Sequence, residues 1–301
     1  MDQGELTVSH MKLDVSHRTT YTYRLPVAQS RHVLHLEPRP TEQQRIVGHT
    51  ILINPAPISQ TRIRDYFGNV AHLLQIDEEH RELVVHARST IEVDIPPLRD
   101  LATTSPWEKV ARMGFDAGGR IDADVLQFAL RSRHTPTTRE AISFAREFFQ
   151  QGRPVLEGAM ALTTHMFEEF TFDPAATDVS TPIAKVLALR RGVCQDFAHL
   201  ALAALRGLGL PARYVSGYLL TRPPPGMVKL VGADASHAWL SVWAPETGWV
   251  DFDPTNGVIP AGEHITVAWG RDYEDVSPIS GVLLGGGDQQ MTVAVDVDSA
   301  D

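Results

Sequence analysis

Three residue types that together perform acyl chemistry stand in order along this chain. Cys194 comes first, His237 follows 43 positions later, and Asp253 lies a further 16 on. A thiol attacks a carbonyl as its anion, so it needs a base to take its proton. The base in turn needs a group that fixes its orientation. Cysteine, imidazole and carboxylate are those three parts. Each alone has a plainer meaning. A lone cysteine is most often a small buried apolar residue, and a histidine beside an apolar strand most often packs there. Their common setting in residues 191–256 argues for the chemical reading.

The elements that must hold them can be read nearby. Residues 193–208 form a predicted helix, with Phe197, Ala198, Ala201, Leu205 and Leu208 on one stripe and Cys194 on the same face. A helix start stabilises an anion through its unpaired N–H groups and its dipole. Gly192 allows the backbone to approach closely there. Asp196, in the first turn, fits a dipole-matched helix start better than a catalytic acid. His237 lies in a predicted strand over 235–243, sharing a face with Trp239, Ser241 and Trp243, while Ala238, Leu240 and Val242 point into the core. A second strand over 249–252 ends at Asp253, where Pro254 forbids its continuation. The hairpin between them can bring Asp253 beside His237. Asp251, two residues earlier on the same face, is the rival for that role.

The rest of the chain gives these elements a scaffold. Its 301 residues suffice for two domains. Alternating runs over 11–24, 33–36, 45–53, 61–76 and 83–95 predict a β-sandwich over 11–96, with a hairpin turn at Phe67-Gly68-Asn69. Pro26 is expected to break the first strand. His32 and His35, three apart, point to opposite faces of a strand and read as solvated or structural. Residues 97–120 read as an irregular linker. The catalytic domain is expected over 121–301. Its helices are predicted over 122–132, 138–150, 155–170 and 181–189, the last with Thr181 as N-cap and Pro182 as first helical residue. Strands over 212–221, 235–243 and 249–252 follow, then a turn-rich part over 260–278 and a last strand over 291–297. Arg190-Arg191 reads as a solvated helix end, Pro223–Pro225 as a rigid surface loop, and Gly285-Gly286-Gly287 as a flexible turn without the Lys-Ser/Thr of a phosphate loop. The fold class is therefore α+β: helices on an antiparallel sheet, preceded by a β domain.

Bulk properties narrow the partners. The formal charge is −10, which argues against nucleic acid or an anionic membrane. No apolar run approaches the roughly 18–20 residues of a membrane span. The first ten residues lack the apolar core of a signal peptide. Cys194 is the only cysteine, so no intramolecular disulfide can form, and a reducing cytoplasm is the expected location.

The motifs carrying these residues are Gly192-Val193-Cys194-Gln195-Asp196-Phe197, the run from Gly209 to Tyr218, Ser236-His237-Ala238-Trp239, and Gly248-Trp249 through Thr255. In order and spacing they resemble the transglutaminase-like cysteine-enzyme superfamily, which includes cross-linking transglutaminases and peptidase-like relatives. The match covers roughly 180–257. Tyr21-Thr22-Tyr23, Leu36-Glu37-Pro38-Arg39-Pro40, Asp65–Asn69 and Gly270-Arg271-Asp272-Tyr273 resemble the bacterial subgroup with an N-terminal β domain. The resemblance implies a papain-like, transglutaminase-like core, with Cys194 as nucleophile, His237 as base and Asp253 as its partner. It prefers Asp253 over Asp251 because the family aspartate precedes Pro-Thr. The Cys194 backbone N–H is the natural first oxyanion donor. The implied reaction is acyl transfer or hydrolysis at an amide of a protein or peptide, through a thioester, with hydrolysis preferred. Glutamine–amine cross-linking is the alternative, and a non-catalytic peptide-binding module is a second. Animal transglutaminases use calcium, but no loop of the EF-hand type is present, so neither metal nor cofactor is expected.

Overall fold

The computed structural model describes residues 9–95, 100–113, 122–221 and 236–300. The chain opens with strands β1 (Ser9–Leu34), β2 (Gln44–Asn54), β3 (Ser59–Arg64), β4 (Val70–Ile76) and β5 (His80–Ile95). A helical stretch follows: α1 (Trp107–Arg112), α2 (Ala123–Leu126), α3 (Arg139–Arg146), α4 (Val155–Glu169), α5 (Ile183–Leu189) and α6 (Cys194–Gly207). Two-residue strands β6 (Thr171–Phe172) and β7 (Arg191–Gly192) flank α5. Strands β8 (Ala212–Leu219), β9 (Ser236–Ala244), β10 (Gly248–Phe252) and β11 (His264–Gly270) come next, then the short helix α7 (Tyr273–Val276), β12 (Ile279–Gly285) and β13 (Gln289–Ser299). The Pro223–Pro225 loop lies outside the described residues.

The N-terminal strands form one hydrogen-bonded sheet that folds over on itself at β1. The first half of β1 runs between β5 and β13, and its second half runs between β4 and β12. Leu34, Leu36, Leu74, Ile76, Leu83 and Val85 on and beside these strands are buried together in one apolar cluster. Pro26 does not end β1 as expected. It sits where the pairing with β5 slips between Thr22 and Val27, at an irregularity that a residue without an N–H can occupy. The expected linker also differs, because its described part packs: Val110 in α1 is fully buried.

The tail corrects the expected extent of the catalytic domain. β12 and β13 pair with β1, so residues 279–299 join the N-terminal sheet instead of the helices and four-stranded sheet. The turn between them is Gly285-Gly286-Gly287, all at positive φ, a backbone that favours glycine. The expected turn-rich part over 260–278 contains a full strand, β11, which pairs with β8 as the edge of a sheet ordered β10-β9-β8-β11.

Helix α6 packs behind that sheet. Its sequence suggested a single apolar stripe, yet every residue from Asp196 to Arg206 is buried. It is wrapped by α3, α5, β8 and β9, as a helix rich in Leu and Ala on all sides permits. Buried Arg206 donates to the carbonyls of Phe128, Ala212 and Arg271 and to the Thr135 hydroxyl. Helix α5 starts one residue later than expected: Pro182 is its N-cap, in extended conformation.

The N-terminal region meets the four-stranded sheet at its edge strand, β11. Gln44 Nε2 donates to the Thr266 carbonyl and Gln44 Oε1 accepts from its N–H, both at 2.8 Å. Asn69 forms the same pair of bonds with Trp269. The Arg39 and Arg213 guanidiniums lie over the Trp269 ring at 3.2 and 3.6 Å from its centroid, a stacking geometry that suits a planar cation. One apolar core runs through both regions, from Leu13 and Val295 to Phe197 and Leu240.

Candidate active site

Cys194 is the first residue of α6, with Val193 as N-cap. Three interactions hold this helix start. Strand β7 pairs in parallel with β6 just before it. The Val193 N–H donates to Asp196 Oδ2 at 2.8 Å, and the Thr177 hydroxyl donates to the same oxygen at 2.6 Å. A Cβ on Gly192 would lie 2.7 Å from that oxygen, so only glycine leaves room for the carboxylate to reach back. Asp196 is therefore a capping residue, as its place in the first turn suggested. Cys194 is partly exposed, with its sulfur at the positive end of the helix.

His237 is the second residue of β9, and its Nε2 lies 2.7 Å from Asp253 Oδ2. Its Nδ1 is the ring atom that the carboxylate leaves free. Burial opposes a charge on His237, but the bond and charge of Asp253, with the Cys194 side chain adding to them, outweigh it and raise its pKa to about 10. The last ladder pair of the hairpin is Leu240 with Phe252, so Asp253 lies past the end of β10. There it is fixed by its own turn. Its Oδ1 accepts from the Thr255 N–H at 2.9 Å and the Asn256 N–H at 3.2 Å. Asn256 Nδ2 donates to Oδ2 at 2.7 Å. Asp253 is fully buried. Burial alone would raise its pKa, yet the donors from His237, His264 and Asn256 hold it well below the usual carboxylate range.

Asp251 has different partners. It accepts from Trp239 Nε1 at 2.8 Å and from the Ser241 hydroxyl. It therefore fixes the indole beside His237 and does not reach the imidazole. Trp239 and Ser241 are fully buried, so β9 is covered on both faces, not on one as expected.

One neighbour escaped the sequence reading. His264 Nε2 lies 3.1 Å from Asp253 Oδ2. It sits at the head of β11, the strand that had been read as turn, and a lone histidine there carried no other signal. Buried His32 and His35 are structural: His35 Nδ1 donates to the Ser277 carbonyl at 3.2 Å.

Among the described residues, three sets of side chains bring three possible ligand atoms within 4.8 Å of one another: Glu37–His49–His72, His134–Asp272–Glu274 and His237–Asp253–His264. In the first, Arg62 already forks Glu37, with contacts of 2.7 and 2.9 Å, so a metal would compete with a guanidinium. In the second, Asp272 caps α7. The third joins two members of the candidate triad, His237 and Asp253, to His264, and its carboxylate already accepts from both rings and from Asn256. Cavities of about 520 and 450 Å³ elsewhere on the surface are lined by no triad residue. Arg190, at the end of α5, adopts a left-handed backbone and pairs with Glu169 at 2.7 Å.

Comparison with known proteins bears on the family and the fold. Residues 13–92 match the bacterial transglutaminase-like N-terminal region, and residues 142–254 match the transglutaminase-like superfamily. Protein Rv2569c of Mycobacterium tuberculosis is 38% identical over 292 residues, covering 94% of this chain and 91% of that one. A protein-glutamine gamma-glutamyltransferase of Pseudomonas aeruginosa is 31% identical over 150 residues, covering 48% of this chain and 22% of that protein. The crystal structure of a candidate cysteine protease from Cytophaga hutchinsonii superposes with a TM-score of 0.76 at 21% identity, covering 97% of this chain and 92% of that one, which shows a shared fold. A cysteine-led helix, a sheet packed on it and an N-terminal β region of this kind all point one way: the chain belongs to the transglutaminase-like superfamily, in the bacterial group that carries this N-terminal region.

Proposed function

We propose that the protein cleaves an amide of a protein or peptide substrate through a thioester on Cys194. The observation that carries this reading is His237, bonded at 2.7 Å to a buried carboxylate and charged in the field of that group and of Cys194, a partly exposed thiol at a helix start. In the resting site the proton sits on His237 and the sulfur faces the helix N–H groups. The sulfur adds to the carbonyl carbon, and the oxygen takes up the negative charge beside the Cys194 N–H. His237 gives its proton to the amine as the C–N bond breaks, leaving a thioester. Water then adds to the thioester carbonyl, losing a proton to His237. The C–S bond breaks, the acid leaves, and the thiolate–imidazolium pair is restored. Asp253 keeps the ring oriented throughout and stabilises its charge.

Transfer to an amine is the second reading, favoured by the name of the Pseudomonas aeruginosa relative. The two share every step up to the thioester and differ in what resolves it. A reducing cytoplasm is the proposed location, since a lone thiol nucleophile must stay reduced.

The test is incubation with a glutamine-containing peptide, with and without a labelled primary amine. Hydrolysis predicts a shortened or deamidated peptide and no label. Incorporated label would replace hydrolysis by transfer. Cys194→Ala should remove either product entirely. Product formation that survives this change would reject the thiol mechanism.

A further inference from the structure

Asp253 serves two histidines. Its Oδ2 lies 2.7 Å from His237 Nε2 and 3.1 Å from His264 Nε2. The second ring has a readable proton position. His264 Nδ1 is buried without a partner. An ionised carboxylate can only accept, so Nε2 carries the proton that is donated to Asp253.

The ring is also braced. It meets the Trp239 indole edge-on, with centroids 5.3 Å apart. That indole is tied to Asp251 and lies 5.9 Å from the His237 ring. Gly217, opposite His237 in the ladder, makes room for the indole: a Cβ there would lie 2.4 Å from Trp239. Among the described residues, the other charged groups about this cluster are Asp251 on β10 and Arg213 on β8, which interacts with it. Neither reaches Asp253 by a hydrogen bond. Among the described residues, His264 is thus the one side-chain donor to this carboxylate that comes from outside both its own turn and the pair it serves.

We propose that His264 is a positioning residue for the reaction: its Nε2–H holds the Asp253 carboxylate in the orientation that aims His237 at Cys194. The inference rests on the triad reading given above. Oδ2 otherwise relies on Asn256, a neighbour on the same turn, which moves when the carboxylate moves. A donor on β11, anchored in the sheet through β8, gives a fixed external reference.

The test uses the pH dependence of Cys194 alkylation by iodoacetamide, which requires no substrate, together with peptide cleavage. His264→Phe keeps a flat ring and removes the donor. His264→Gln restores an amide N–H at similar reach. The Phe variant should raise the alkylation midpoint by about half a pH unit or more and lower kcat about tenfold with little change in KM. The Gln variant should recover most of both. An unchanged or lowered midpoint in the Phe variant would overturn the proposal. Asp253→Asn separates the two layers of inference. If it leaves the profile unmoved, the triad reading fails. If it moves the profile while His264→Phe does not, only the role of His264 fails. Should the Phe variant not fold, ring ¹⁵N shifts of the wild-type protein still decide, because a His264 proton found on Nδ1 refutes the bond.

Discussion

At the scale of single residues, the site is a competition for two carboxylates. Asp251 and Asp253 are two apart, and their types alone left the choice open. Each is saturated by different donors: Asp251 by Trp239 and Ser241, Asp253 by His237, His264 and its own turn. Replacing Asp253 with Asn removes the charge that keeps His237 protonated to about pH 10. We expect alkylation of Cys194 at pH 6 to slow about tenfold or more in that variant, because the sulfur loses its imidazolium partner. The same shift appears in stability. His237 is raised in the fold, so its contribution is fully present below its ordinary 6.5 and is lost as pH climbs toward about 10. Asp253 is depressed, so its contribution is lost as pH falls below its ordinary 3.8. Urea unfolding at pH 6, 8 and 10 should show the alkaline loss in the wild type and a smaller one in Asp253→Asn. Equal losses would deny the ion pair.

At the scale of elements, close approaches decide which glycines are replaceable. A Cβ on Gly217 would lie 2.0 Å from the Ile265 carbonyl, a backbone atom of β11 that cannot rotate away. Gly217→Ala should cost about 1–3 kcal/mol or more and loosen the β8–β11 pairing that carries His264. Gly48, with nothing within 4 Å, is the control, and Gly48→Ala should change stability by less than about 1 kcal/mol. Thermal melts of the two variants check the contrast. The helix that carries Cys194 was legible from its motif and its flanking glycines. The strand that carries His264 was not. Residues 264–270 form an edge strand whose alternation is interrupted by an irregularity between Thr266 and Ala268, so period two never builds up. Missing the strand meant missing the histidine.

At the scale of the whole molecule, the two ends of the chain close one sheet. β13 runs along β1 from Leu13 to Tyr23, and Val295 and Val297 are fully buried in the main core. Removing residues 279–301 should expose an edge of β1 along most of its length. We expect that truncated chain to be largely insoluble, while the full chain is soluble; a soluble product with native near-UV circular dichroism would contradict this architecture. The N-terminal region also grips the edge strand β11 through Arg39, Gln44 and Asn69. By itself the sequence determined which residue types meet in one neighbourhood, because helix starts, strand ends and proline stops are local chemistry written in adjacent residues. It also determined the α+β class, since hydrophobic period is local too. The residue types left Asp251 and Asp253 open and family resemblance favoured Asp253; only the tertiary structure gave the contact itself, the second histidine that joins it, and where the tail pairs. Those are contacts between segments far apart in the chain, set by packing and strand register, which no short stretch encodes.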